Sequence, residues 1–71
     1  MTGEIDVEVV DVGRVDVHGV VYVDVAIRYP DGTTDSTRLG SESVPDDLRA
    51  GDRVLAMRVN NMVVSIRRAQ S

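Results

Sequence analysis

Valine recurs at nearly every second position between Asp6 and Asp24, in the stretch DVEVVDVGRVDVHGVVYVD. Such alternation predicts a β-strand with one buried face. The alternation changes phase twice, at Val9-Val10 and at Gly13-Arg14. Because side chains alternate with a period of two, each phase change either needs a β-bulge or moves the next side chains to the other face. The stretch therefore predicts a long hairpin whose first strand bends.

The first hairpin is predicted to turn through a three-residue loop, residues 18–20, with Gly19 at positive φ. A bulge at Gly13-Arg14 then places eight apolar side chains on one face. These side chains are Val10, Val12, Val15, Val17, Val21, Val23, Val25 and Ile27. The residues before the first phase change are expected on the opposite face; they are Ile5, Val7 and Val9. A first strand that changes its buried face suits a coiled, closing sheet.

The second connection is predicted to be a three-residue loop, residues 30–32, with the turn sequence Pro-Asp-Gly. This register pairs Leu39 with Val23 and Arg38 with Asp24. A two-residue loop would instead place Leu39 opposite the charged Asp24. The third strand, TTDSTRL, is polar and short, so we expect it near an edge or on a ligand-facing surface.

Residues 43–51, SVPDDLRAG, are predicted to form a single helical turn. Ser43 is a candidate N-cap, Pro45 suits a first turn, and Gly51 closes the turn. The two aspartates lie near the positive end of the helix dipole. Leu48 is the expected anchor of this segment in the core.

The last hairpin is predicted to turn at Asn60-Asn61, because asparagine tolerates the positive φ of a type I′ turn. The inward pairs are then Val59 with Met62, Met57 with Val64, and Leu55 with Ile66. The outward pairs are Arg58 with Val63, Ala56 with Ser65, and Val54 with Arg67. Every inward pair is apolar, which favours this orientation.

Three strands, a short helical turn and a two-strand hairpin follow one another along the chain. This order resembles the OB-fold, a five-stranded Greek-key barrel. The segments PDGT and LRAGDRVLAMRVNNMVVSI are similar to turns and a fourth-strand start found in OB-fold and SH3-like barrels. The predicted fold is all-β, a small five-stranded antiparallel OB-like barrel with one short helical turn between strands 3 and 4. The alternatives are an SH3-like barrel and an open sheet or sandwich built with a partner.

A chain of 71 residues is expected to form one domain, residues 1–71, with a small core and a thin margin of stability. It has no cysteine, which excludes disulfides and thiolate metal sites, so association with another chain is the expected source of added stability. We recognise no leader and no apolar run of membrane-spanning length. We therefore expect a cytoplasmic protein, or part of an intracellularly assembled particle, with no membrane partner.

Charge is unevenly distributed along the chain, whose net charge is −4. Residues 1–35 carry eight acids and two arginines, whereas residues 36–71 carry four acids and six arginines. A net negative charge disfavours nucleic acid as a partner. The complementary halves favour association with a protein or with another copy of the chain.

Groups suited to catalysis are scarce. His18 is the only histidine and falls at a predicted hairpin turn, and the serines lie in polar contexts without an activating base. No Walker loop and no GxGxxG motif is present. Acidic residues crowd positions 40–52 without EF-hand spacing, so capping is their expected role, and a cation- or ligand-sensing site is a further hypothesis. We predict a protein that is not an enzyme and has no cofactor and no metal.

Single-stranded nucleic acid is the alternative partner that the OB-fold resemblance implies. In that family the ligand crosses the second and third strands, where bases stack on aromatic side chains in a basic groove. The corresponding face here carries Tyr22, Arg28 and Arg38, with Asp24 among them. One tyrosine and two arginines make a sparse groove, so this function ranks second.

A protein-docking surface is predicted on the outward side of the last hairpin, where arginines lie among apolar residues, as is typical of interfaces. The predicted partner-binding residues are Val54, Ala56, Arg58, Val63 and Arg67. The predicted function is a non-enzymatic protein-interaction or assembly subunit. It would dock onto itself or onto a larger complex as an accessory or decorating component.

Overall fold

One antiparallel sheet of five strands makes up the fold in the computed structural model, which describes residues 2–69. The strands are β1 (Thr2–Val17), β2 (Val20–Arg28), β3 (Thr34–Gly40), β4 (Arg53–Val59) and β5 (Met62–Arg68). They lie in the order β3-β2-β1-β4-β5. Three hairpin-connected strands, with a fourth returning beside the first, form a Greek key. The predicted all-β class with five antiparallel strands is confirmed.

The sheet is not closed by strand pairing, since β3 and β5 form its two edges. These edges approach each other where the Thr37 hydroxyl donates a hydrogen bond to the Val63 carbonyl oxygen at 3.4 Å. No backbone ladder joins β3 to β5 within residues 2–69. The closed barrel that the sequence predicts is therefore not confirmed.

β1 is shared between two neighbouring strands. Its first part, as far as Glu8, pairs with β4, and its second part, from Glu8 to Val17, pairs with β2. The contact with the chain that leads into β4 ends at Val9. There the Val9 N–H donates to the Asp52 carbonyl at 2.8 Å, and the Val9 carbonyl accepts from the Gly51 N–H at 2.7 Å.

A β-bulge at Val10 explains the first phase change in the valine pattern. Val9 pairs with Ile27 and Val12 pairs with Val25, so Val10 is the extra residue between them. The bulge keeps Val9 and Val12 on the same side of the strand and bends β1. The predicted opposite-facing row is therefore wrong, because its members lie on the core side: Ile5, Val7 and Val9.

The first hairpin turns through two residues, not three. His18 and Gly19 have φ values of 52° and 85°, as a type I′ turn requires, and Val17 pairs with Val20. The shorter turn removes the need for the predicted bulge at Gly13-Arg14, and that prediction is wrong, because the β1–β2 register runs without a shift beyond Asp11. Three of the eight side chains predicted to be inside are exposed: Val10, Val17 and Val21. Val17 lies on the side opposite Val23, Val10 is the extra residue of the bulge, and Val21 lies on the side of Val23 but nearer the turn.

The second hairpin has the predicted register. Val23 pairs with Leu39 and Asp24 pairs with Arg38. The Tyr29 N–H donates to the Thr33 carbonyl at 2.8 Å, which leaves residues 30–32 as the three-residue loop. This prediction is confirmed.

The connection between β3 and β4 differs from the predicted helical turn over residues 43–51. A 3-10 helix, Ser41–Ser43, comes first, and no helix follows it before β4. Ser43 is the last residue of this helix, so its predicted role as the N-cap of a helical turn is wrong. The chain then turns as the Leu48 N–H approaches the Pro45 carbonyl at 3.3 Å. Leu48 is buried as predicted, together with Val44. The 3-10 helix is far too short to span a bilayer, and the described residues contain no other helix.

The last hairpin turns as predicted, but β4 presents the opposite face to the core, whereas Ile66 of β5 is buried as predicted. Asn60 and Asn61 have φ values of 50° and 71°, which confirms the type I′ turn. A register shift follows, because Arg58 pairs with Val63 while Met57 pairs with Ser65, leaving Val64 as the extra residue of β5. Three residues predicted to face a partner are buried: Val54, Ala56 and Val63. The outward orientation predicted for them is wrong.

β1 determines which face of β4 is inside. Ile5 pairs with Ala56 and Val7 pairs with Val54, and these four side chains share the core side. The opposite side of β1 is wholly acidic in this segment, so it faces solvent. β4 has apolar residues on both faces and accepts either orientation, whereas burying the acidic side of β1 would be costly.

The core lies between the two bent halves of the sheet and under the β3–β4 connection. Its buried members are Val7, Val9, Val23, Val25, Ile27, Leu39, Val44, Leu48, Val54, Ala56, Val63 and Ile66. Ile5, Val12 and Tyr29 pack against them and are partly buried. Between Val12 and Val23, the part of the first hairpin nearest its turn contributes no buried side chain to this cluster, so the apolar side chains of that part lie outside the core.

Candidate functional site: the first hairpin beyond the bulge

The candidate site is the part of the first hairpin beyond the bulge, residues 11–22, which we call the arm. β4 pairs with β1 only as far as Glu8, and β3 pairs with β2 only as far as Tyr22. Within residues 2–69, no strand pairs with the β1 edge of the arm. The arm therefore has one open strand edge and a tip that is only two strands wide.

Four apolar side chains share one face of the arm. Val15 pairs with Tyr22 and Val17 pairs with Val20, which places all four on the same side of the ribbon. Val20 is 52% exposed and Val17 is 37% exposed, while Val15 and Tyr22 are half-buried. Scattered exposed valines are ordinary, but four in cross-strand contact form a continuous patch. We call this patch the arm face.

Charged side chains lie on the other side of the arm. The Arg14 guanidinium Nη2 donates to the Asp46 carbonyl oxygen at 2.6 Å, which ties the arm to the β3–β4 connection. Asp16 Oδ1 accepts a hydrogen bond from the Gly19 N–H at 2.9 Å and so stabilises the turn. His18 is an exposed residue of that turn, as predicted.

The predicted nucleic-acid face exists as a surface, but its arginines are paired. Arg38 makes two hydrogen bonds to Asp24, at 2.7 and 3.0 Å, and Arg28 contacts Glu8 at 3.1 Å. The hydrogen bond from Arg38 lowers the pKa of Asp24, which keeps this carboxylate ionised. A shallow groove of about 530 Å³ lies beside Arg38, on the surface that also carries Tyr22. The role of Tyr22, Arg28 and Arg38 in binding stays a prediction.

The two arginines of the predicted docking surface contact their own chain. The Arg67 guanidinium donates to both carboxylate oxygens of Glu4, one of them at 2.8 Å, across the outer face of β4. Arg58 lies over the Tyr29 ring, 5.1 Å from its centroid, and donates to the Asn61 side-chain oxygen at 3.3 Å. Their partner-binding role stays a prediction, but the apolar neighbours that would have completed the surface are buried.

Tyr29 and Asp35 form a polar contact beside Arg58 at one end of the core. The Tyr29 hydroxyl donates to the Asp35 carboxylate at 3.1 Å. Burial and this hydrogen bond raise the pKa of the Tyr29 phenol, so the phenol remains a proton donor at neutral pH. The contact is structural, since it fixes a partly buried side chain against the core.

Arg68 holds the β3–β4 connection against β5. Its guanidinium donates to Asp47 Oδ1 at 2.8 Å and to Asp52 Oδ2 at 3.1 Å. The pKa of Asp47 is lowered by its hydrogen bond with Arg68, and the pKa of Asp52 is lowered first by the Arg49 N–H. In the part of the chain that the structure describes, no three acidic or histidine side chains converge as metal ligands would.

These ion pairs predict that the protein loses stability in acid. The pKa values of four paired carboxyl groups are lowered in the fold: Glu4, Asp24, Asp47 and Asp52. A folded-state pKa below the unfolded value stabilises the fold above the unfolded pKa, here about 4, and this contribution disappears as the pH falls through the folded-state pKa. We expect the melting temperature to be level near neutral pH and to fall below about pH 4.

The matched variants are Glu4→Gln and Asp6→Asn. Glu4 pairs with Arg67, whereas Asp6, two residues along the same face of β1, takes part in none of the ion pairs among the described residues. Thermal melts between neutral pH and pH 2 should show a shallower acid limb for Glu4→Gln than for wild type or Asp6→Asn. An equal acid limb in all three proteins would contradict the stabilising role of the Glu4–Arg67 pair.

The sequence pointed to the wrong hairpin as the exposed apolar surface. The residues that it missed are Val15, Val17 and Val20, of which the first two were predicted to be inside, whereas Tyr22 was predicted on an outer, ligand-facing surface with Arg28 and Arg38. The His18-Gly19 pair was a signal for the observed turn, because it can occupy both positive-φ positions of a two-residue turn. With that turn, the arm needs no bulge at Gly13-Arg14. That reading turns Val15 and Val17 away from the side on which Val23 is buried.

Comparison with protein-family models, with curated protein sequences and with solved structures finds no match to this chain.

Proposed function

We propose that this protein is a non-enzymatic interaction module that docks through the arm face. The observation that supports this proposal is the cross-strand contact of four apolar side chains outside the core: Val15, Val17, Val20 and Tyr22. A chain this small has few apolar residues to spare for its surface. Leaving four of them together outside the core, two of them exposed, is a cost that a docking partner would remove.

The composition of the arm fits this role. Tyrosine is enriched in interface cores, and here Tyr22 lies on the arm face beside three valines. The open β1 edge adds unpaired backbone groups, which a partner strand can pair with. The docking surface is thus proposed at the first hairpin instead of the last one. The role of an accessory or assembly component is retained.

We also propose that the fold is an OB-like barrel that is incompletely closed. The Greek-key strand order, the bent first strand and the approach of Thr37 to Val63 support this proposal. The OB-fold is itself a partly open five-stranded Greek-key barrel. Its nucleic-acid-binding use has less support here, because Arg28 and Arg38 each contact a carboxylate and a single tyrosine offers a stacking surface.

The test of the docking surface is the Val20→Thr substitution. Threonine keeps the β-branched shape and the strand preference of valine while placing a hydroxyl in the proposed interface. We expect association, with a partner or with a second copy, to weaken by about tenfold, because burying an unpaired hydroxyl costs on the order of 1–3 kcal/mol. Sedimentation velocity and quantitative capture from a lysate of the source cells measure the two kinds of association.

The control is Val64→Thr on β5. Val64 is 42% exposed, which is comparable to Val20, and lies outside the arm. The Val64→Thr variant should associate with its partner or with a second copy as tightly as wild type does. If Val20→Thr behaves like Val64→Thr in both measurements, the arm face is not the docking surface.

A further inference from the structure

We propose that the occupant of the open arm edge is a second copy of this chain, paired antiparallel about a twofold axis at Val15. This inference rests on the proposed docking role of the arm and specifies its partner. In this arrangement Arg14 of each copy lies opposite Asp16 of the other. Two arms then form one four-stranded ribbon.

The hydrogen-bonding pattern of the hairpin leaves the required backbone groups free. In a two-residue hairpin the pair that flanks the turn, here Val17 and Val20, exchanges hydrogen bonds, and bonded pairs then alternate along the ladder. The N–H and C=O groups of Arg14 and Asp16 therefore point away from β2, toward the open edge. Among the described residues, no further strand reaches that edge.

Val12 marks where the open segment ends. By the same alternation its N–H also points to the open edge, and there it donates to the Asp11 carboxylate at 3.0 Å. A side chain that caps an edge N–H blocks strand addition at that point. The segment left for pairing is residues 13–17, which centres on Val15.

Charge selects this register over its neighbour. An antiparallel pair centred on Arg14 would place two Arg14 guanidinium groups opposite each other, and like charges directly opposite are destabilising. Centring on Val15 places Arg14 opposite Asp16 twice and lets each such pair exchange two backbone hydrogen bonds. The segment Arg14-Val15-Asp16 is thus complementary to itself when it is reversed.

Pairing also joins the two arm faces. Val15 and Val17 of both copies come together on one side of the ribbon, beside Val20 and Tyr22. The twofold arrangement is closed, because each copy uses the same β1 edge of its arm and that edge is then occupied in both copies. A peptide of unrelated sequence would pair with the edge but would lack the two charge pairs, so the second copy is the better fit.

The decisive experiment uses charge reversal and mixing. Arg14→Asp makes the segment wholly acidic and Asp16→Arg makes it wholly basic. We expect wild type to show concentration-dependent dimers in sedimentation equilibrium, and each variant to dimerise at least about tenfold more weakly. An equimolar mixture of the two variants should recover dimers, because each acidic segment then faces a basic one.

Three results would overturn the proposal. These are a wild type that stays monomeric at every concentration, single variants that dimerise as tightly as wild type, and a mixture that stays monomeric although both variants retain the circular dichroism of wild type. If wild type is monomeric yet Val20→Thr abolishes capture of a partner, only self-pairing fails. If Val20→Thr changes neither self-association in sedimentation nor capture of a partner, the proposed docking function fails as well.

A cysteine variant reports the register and does not depend on the charge variants. The chain has no cysteine, so Val15→Cys introduces a single thiol. At the twofold axis the two copies form a non-hydrogen-bonded pair with Cα atoms about 4.5 Å apart, within the range of a disulfide. Mild oxidation should link Val15→Cys into a covalent dimer much faster than Val64→Cys. Equal rates would contradict the Val15-centred pairing.

Discussion

Ala56→Asp should unfold the protein, whereas Val64→Asp should leave it folded. Ala56 is 0% exposed and lies between Ile5 of β1 and Ile66 of β5, so a carboxylate there would be buried without a partner. Such a charge costs several kcal/mol, comparable to the roughly 4–10 kcal/mol expected for the total stability of a domain of this size. Val64 is the extra residue of a bulge and points to solvent, so its replacement should cost little.

This pair of variants separates the two orientations of the last hairpin. If Ala56 faced a partner and Val64 faced the core, the two outcomes would be reversed. Circular dichroism and urea denaturation of both variants measure the difference. A folded Ala56→Asp together with an unfolded Val64→Asp would contradict the orientation of β4 and the bulge at Val64, between the pairs Met57–Ser65 and Arg58–Val63.

The sequence predicted correctly what depends on neighbouring residues. Asparagine at positions 60 and 61 specifies a turn with two positive φ values, and the Pro-Asp-Gly loop sets its register through Arg38 opposite Asp24. Leu48 was the strongest apolar residue of a polar connection, and it is buried. In each case the deciding interaction lies within a few residues or directly across one hairpin.

The orientation of β4 could not be predicted from β4 itself. Leu55 and Met57 on one face are as apolar as Val54 and Ala56 on the other. The choice is made by β1, which is distant in sequence and presents only acids on the side that faces solvent. Pairing of β1 with β4 has to be known before the inside of β4 can be assigned.

The candidate site was missed through a difference of one residue in a turn. A three-residue loop at His18 required a bulge at Gly13-Arg14 and placed Val15 and Val17 inside. A two-residue turn places both valines outside. Both turns suit the same residues, since Gly19 accepts positive φ in either. The space available in the core decides between them. The core is built from all five strands and the β3–β4 connection, and of the arm only Val12 packs against it.

Truncations along β2 should locate the point where the hairpin leaves the core. Ile27 is fully buried opposite Val9, so Ile27→Ala removes three carbon atoms and leaves a cavity, at a cost of about 2–5 kcal/mol. For a domain of about 4–10 kcal/mol this variant should be partly or wholly unfolded at room temperature. Urea midpoints and the fluorescence of an apolar dye measure the loss.

Val23→Ala and Val21→Ala provide the matched comparison, because the same two methyl groups are removed two residues apart on one face. Val23 is buried under Leu39, whereas Val21 is 39% exposed. We expect Val23→Ala to cost about 1.5 kcal/mol or more and Val21→Ala to stay within about 0.5 kcal/mol of wild type. A large loss for Val21→Ala would mean that the arm packs as part of the core. The core would then extend as far as Val21 on the side of the hairpin opposite the arm face.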